Sequence, residues 1–128
     1  MGKEKPAGSI VWTDLTVKDA GRLRDFYRDV VGWKPEGVGM GDYEDFNMVS
    51  EATGEPVAGV CHARGPNANL PSQWLVYVQV EDVGASVRRA VELGGAVVDG
   101  PRPMGGAQSF AVIRDPAGAV LAIIGPKP

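Results

Sequence analysis

The sequence predicts an α+β fold built from two βαβββ modules in one chain. Three observations predict it. A segment starting at Trp12 recurs without a gap in a segment starting at Leu75, an offset of 63 residues, with Val17, Asp19, Gly21 and Gly32 falling on Val80, Asp82, Gly84 and Gly95. Each copy runs from an alternating stretch to an Asp and then into a helical period that stops at glycine. Short β-like stretches divided by turn signals follow each helix. A βαβββ unit of this size cannot bury its sheet alone, so the two copies are expected as one domain over residues 1–128.

Taken in order, the first strand places Val11, Leu15 and Val17 on one face and Trp12, Asp14 and Thr16 on the other, with Thr13 interrupting the apolar face. Asp19 is a strong N-cap residue, and Leu23, Phe26, Tyr27, Val30 and Val31 recur at helical spacing up to Gly32. Gly37-Val38-Gly39-Met40 fits a short strand or a loop. Gly37, Gly39 and Gly41 lack the following helix that a dinucleotide fingerprint needs, and loop is the better reading. Tyr43 to Ser50 and Pro56 to His62 read as strands around the turn-forming Thr53-Gly54. Module one is expected over about 8–63, followed by a polar, two-proline linker over 64–71.

Module two is expected over about 72–126. Its first strand has Val76, Val78 and Val80 on one face and Leu75, Tyr77 and Gln79 on the other. The all-valine face should meet the core, and the mixed face should meet water or a ligand. Asp82 opens a second helix carrying Val83, Val87, Ala90 and Val91, which Gly94 and Gly95 close. Ala96 to Asp99, Ser109 to Arg114 and Ala119 to Gly125 read as strands, the last two joined by the hairpin signal Asp115-Pro116-Ala117-Gly118. Gly105-Gly106-Ala107-Gln108 reads as a cover over a binding site or simply as a turn.

Composition narrows the chemistry. Hydrophobic residues make up 44% and charged residues 23%, which fits a packed domain and argues against disorder. Gly 18 and Pro 10 suit a chain with many turns. One His and one Cys exclude a zinc ribbon, a disulfide scaffold and a site of several imidazoles. A net charge of −3 gives no basic footprint for nucleic acid. The longest apolar run, Ala119 to Ile124, is too short to span a membrane. The polar start Met1 to Gly8 has no apolar signal core, and Cys61 sits in an apolar stretch as an inert thiol. The expected compartment is the cytoplasm.

Several motifs carry a family resemblance. The run from Asp19 to Trp33, with Phe26-Tyr27 and Gly32-Trp33, is similar to the first helix of the vicinal-oxygen-chelate superfamily. Val80-Glu81-Asp82-Val83 with Leu93-Gly94-Gly95 resembles its second helix, and Asp115 to Gly118 its last hairpin. Pro56 to Gly59 and Pro71 to Tyr77 look like a subgroup of small members. Residues 8 to 126 as a whole resemble this superfamily of glyoxalases, bleomycin-resistance proteins and extradiol dioxygenases. The resemblance implies a curved mixed sheet around a cleft and, for small members, a homodimer.

In metal-using members the cleft holds a divalent ion. The resemblance puts the two first-strand ligand positions on Trp12 and Leu75, the last-strand position on Ala122, and its first-module counterpart near Ala58. None of these side chains offers a donor to such an ion. No metal and no other cofactor is therefore expected. Strand alternation points Trp12, Asp14, Thr16, Leu75, Tyr77, Gln79, Ala122 and Ile124 at the cleft, with Val120 beside them. That lining suits a small apolar or aromatic molecule, with Trp12 and Tyr77 available for stacking. A second reading keeps Trp12 and Leu75 as plugs of the former metal cavity or as contacts to a second subunit. The functional expectation is a metal-free binding protein of the sequestration or resistance type. The alternative is a lyase or dioxygenase-like enzyme with a divalent metal relocated to Asp14 and His62.

Overall fold

The computed structural model describes residues 5–127. Of the polar start Met1 to Gly8, the first four residues lie outside the described residues. Two helices and eight strands of mixed pairing make up the α+β fold. In order they are β1 (Ile10–Val17), α1 (Ala20–Val31), β2 (Lys34–Gly39), β3 (Glu44–Val49), β4 (Pro56–His62), β5 (Trp74–Gln79), α2 (Val83–Glu92), β6 (Ala96–Pro103), β7 (Gln108–Arg114) and β8 (Val120–Pro126). A 3-10 turn at Gly65–Asn67 lies in the expected linker. The chain forms two compact units, Thr13–Trp74 and Leu75–Pro128 with Met1–Trp12, here called the first and second modules.

The first module orders its strands β2-β3-β4-β1, with β1 parallel to β4 and the other pairs antiparallel. Asp19 caps α1 by accepting from Arg22 N at 3.3 Å, and Gly32 ends the helix at φ 86. That left-handed turn is open to glycine without strain. One face of the sheet packs Phe46, Met48, Ala58 and Val60 under Ala20, Leu23 and Tyr27 of α1. Gly37 and Gly39 belong to β2, paired with Phe46 and Glu44, so this stretch is strand and not the expected loop. Pairing with β3 decides it; the glycine spacing alone carries no such information.

The second module repeats that topology as β6-β7-β8-β5, with β5 parallel to β8. Gly8 N donates to Gln79 O and Gln79 N donates to Ser9 O, each at 2.8 Å, which ties Gly8 and Ser9 to β5. Asp82 caps α2 by accepting from Ala85 N at 3.0 Å. Gly94 takes the left-handed turn at φ 96, while Gly95 is required for another reason: a Cβ there would stand 2.6 Å from Arg114 O. Val83 and Val87 pack on Ala111, Ile113, Leu121, Ile123 and Val80.

Two expectations about β5 need correction. Val76 is 38% exposed, because α2 packs on β6, β7 and β8 and leaves the start of β5 uncovered. Leu75 and Tyr77, expected to look at water or a ligand, are 0% and 3% exposed. The Gly105-Gly106 stretch is a tight turn closed by Met104 N to Gln108 O at 3.0 Å. Asp115 shapes the last hairpin by accepting from Ala117 N and Ala119 N.

Candidate functional site

In the second module the face opposite α2 is built by register. Tyr77 pairs with Ala122 and Ala122 with Val112; one step along, Gln79 pairs with Ile124, Ile124 with Phe110 and Phe110 with Arg102. Alternation therefore gathers Leu75, Tyr77, Gln79, Ala122, Ile124, Phe110 and Val112 on one face. The Tyr77 and Phe110 rings lie 6.2 Å apart at 39°. The Arg102 guanidinium stands 4.5 Å over Phe110 and is held by Asp99 at 2.7 Å. A cation fixed over a ring that is tilted against a second ring makes an ordered platform.

The expected site residues divide by burial. Leu75, Tyr77 and Ala122 are closed off in the second module, whereas Trp12, Gln79 and Ile124 of the same module keep partial access. Gln79 donates from Nε2 to Val80 O at 3.3 Å. In the first module Asp14 and Thr16 are buried, at 7% and 3% exposure. Asp14 pairs with Gly59 and Thr16 with Cys61, so this strand face of β1 and β4 is polar.

The metal positions were tested on the same registers. Ala58 belongs to the α1-facing core, so the first-module counterpart is misplaced there by one residue. The residues of β4 that share the Asp14 face are Val57, Gly59 and Cys61. His62 falls on the Ala58 face, away from Asp14, and the relocated pair does not converge. Trp12, Leu75, Ala122, Val57 and Gly59 carry no side-chain oxygen or nitrogen with a lone pair to give a metal, and these residues do not fit a divalent ion. Burial, with the Asp14 and Asp45 carboxylates nearby, pushes the Cys61 thiol well above the ordinary thiol range.

Sequence reasoning found no partner for His62. The structure supplies Asp45, whose Oδ1 accepts from His62 N at 2.8 Å and lies 3.3 Å from Nδ1. The strands β3 and β4 bring them together across 17 positions of sequence, a distance no local motif spans. The His62 ring packs edge-on to Tyr43, and the Arg64 guanidinium lies 4.1 Å over Tyr43. Trp33 and Trp74 pack as expected, around Tyr27, whose hydroxyl accepts from Trp74 Nε1 at 3.1 Å. The Phe110–Arg102 stack was also missed, since a register shift in β6 sets it.

Both modules repeat one βαβββ topology, and the chain matches the Glyoxalase/Bleomycin resistance protein/Dioxygenase superfamily over residues 9–123. The chain belongs to that superfamily. Among its relatives, the anthracycline biosynthesis protein DauV of Streptomyces sp. is 36% identical over 121 residues, covering 91% of this chain and 41% of DauV. CFP32 of Mycobacterium tuberculosis, which carries a provisional glyoxylase name, is 27% identical, covering 94% of this chain and 45% of CFP32. The chain thus spans less than half the length of these curated relatives. The methylmalonyl-CoA epimerase structure from Mycobacterium tuberculosis covers 100% of this chain and 94% of its own, at a TM-score of 0.56 and 17% identity. That likeness speaks to the fold. No helix among the described residues is long and apolar enough to cross a membrane.

Proposed function

We propose that this protein is a metal-free binder of a small apolar or aromatic molecule, of the sequestration or resistance type within its superfamily. One observation carries the reading: the family's ligand positions hold Trp12, Leu75 and Ala122, which replace metal donors by apolar surface. The accessible side chains Trp12, Gln79 and Ile124 are the ones that meet the ligand, and the Tyr77–Phe110–Arg102 stack lies beside Gln79 and Ile124 on the same sheet face. Trp12 offers a face for stacking and an N–H for the ligand's edge. Leu75, fully buried, acts as filling. The named role of DauV in anthracycline biosynthesis makes polycyclic aromatic compounds the first class to screen.

A homodimer in the cytoplasm completes the reading; a reduced compartment suits the single thiol of Cys61. Light scattering is expected to give twice the chain mass, and a monomer at high concentration contradicts pairing. The binding reading is tested by a thermal-shift screen of aromatic metabolites and antibiotics, since a ligand for the native state raises its apparent stability. A hit whose shift disappears in Trp12→Ala supports it. A stoichiometric ion in protein purified without chelators, lost in His62→Ala, defeats the metal-free part.

A further inference from the structure

A groove of about 740 Å³ opens in the second module between the start of α2 and the ends of β6, β7 and β8. Its origin is local. Ala111 of β7 lies under α2, but two residues earlier Ser109 pairs with Gly125, and these small residues leave the space below the first helical turn unfilled. Gly125 cannot be enlarged, because a Cβ would stand 2.6 Å from Val80 O. Val83, Pro101, Pro103 and Pro126 make the walls aliphatic, and no aromatic ring lines the groove. Ser109, 7% exposed, is the hydroxyl at its side.

The charges of the lining are unequal. Asp82 is committed to the Ala85 N–H and Arg102 to Asp99. That leaves Arg88 and Lys127 against Glu81, and neither cation enters an ion pair among the described residues. Arg88 folds back along α2, with Nη1 3.5 Å from where a Gly84 Cβ would stand. Because the Asp82 carboxylate already occupies the start of α2, recognition of an anion falls to these side chains. We propose that the groove binds an aliphatic carboxylate, its chain along Val83 and the three prolines and its carboxylate at Arg88 and Lys127. A volume in this range suits a small ligand, and guanidinium and ammonium groups bind carboxylates by charge-assisted hydrogen bonds. The groove lies on the α2 side of the sheet; of the stack on the face carrying Tyr77 and Gln79 it touches Arg102, which Asp99 and Phe110 already hold.

Titration of ¹⁵N-labelled protein with octanoate tests this. Saturable amide shifts are expected at Val83, Gly84, Ser109 and Lys127, with Tyr77 and Gln79 unmoved. The double variant Arg88→Gln, Lys127→Gln should weaken octanoate binding about tenfold. Uncharged 1-octanol should bind the unaltered protein more weakly than octanoate. Shifts centred on Tyr77 and Gln79, no saturable binding, a double variant that binds as the parent does, or 1-octanol binding as tightly as octanoate would each overturn the proposal. Failure here leaves the aromatic-ligand reading standing, since the ligand of that reading meets Trp12, Gln79 and Ile124, which are not among the groove's lining residues.

Discussion

Asp45 is buried, and one of its oxygens serves both the backbone N–H and the ring Nδ1 of His62. Asp45→Ala removes that acceptor and strands a polar N–H, so it should cost about 1–3 kcal/mol in urea unfolding. A cost near zero would show that water replaces the carboxylate. Cys61 makes a pH prediction. Burial and the two nearby carboxylates raise its ionisation in the folded state above the unfolded value of about 8.5. Above that pH the unfolded chain sheds the thiol proton while the native state keeps it, so the unfolded state binds fewer protons and stability falls as pH rises. Unfolding curves from about pH 7 to about pH 10 should therefore fall more steeply for the parent than for Cys61→Ser. Parallel curves would contradict the buried thiol. The inert thiol of Cys61 was legible in its apolar stretch, but the residues around Cys61 and the partner of His62 were not. His62 and Cys61 are neighbours in the chain, but their surroundings come from β3 and β1, across strand pairs that no local pattern encodes.

At the scale of elements the sequence was more informative, because helix ends and tight turns are set by residues close together. Asp19, Gly32, Asp82 and the Asp115 hairpin all act as their positions in the pattern imply. Asp82→Ala should destabilise the second module by about 0.5–2 kcal/mol, measured by thermal or urea unfolding, through loss of the Ala85 N–H acceptor. What alternation could not supply was which strand face each helix covers. Both faces of β5 carry apolar residues, and α2 lies over β6, β7 and β8, so Leu75 and Tyr77 are buried while Val76 is not. The same limit moved the first-module metal position by one residue: a one-step slip on β4 exchanges Ala58 in the core for Gly59 beside Asp14. Gly125→Ala belongs to this scale as well. The clash with Val80 O should cost about 1–3 kcal/mol in unfolding experiments.

For the molecule as a whole, the repeat made the fold legible, since the order β2-β3-β4-β1 recurs as β6-β7-β8-β5. The strands that carry the expected site residues were legible; which of their side chains are accessible was not. The eight expected side chains lie on β1, β5 and β8, and burial separates the partly accessible Trp12, Gln79 and Ile124 from the other five. In the proposed function an apolar surface takes the place of the metal in ligand binding. The most direct measurement is calorimetric titration of chelator-treated protein with an aromatic hit from the screen, repeated on Trp12→Ala. Saturable binding is expected in excess chelator, unchanged by added divalent ions and weakened at least tenfold in Trp12→Ala, about the 1.4 kcal/mol that separates a lost stacking contact from a minor one. Binding that appears only when a divalent ion is restored would contradict it.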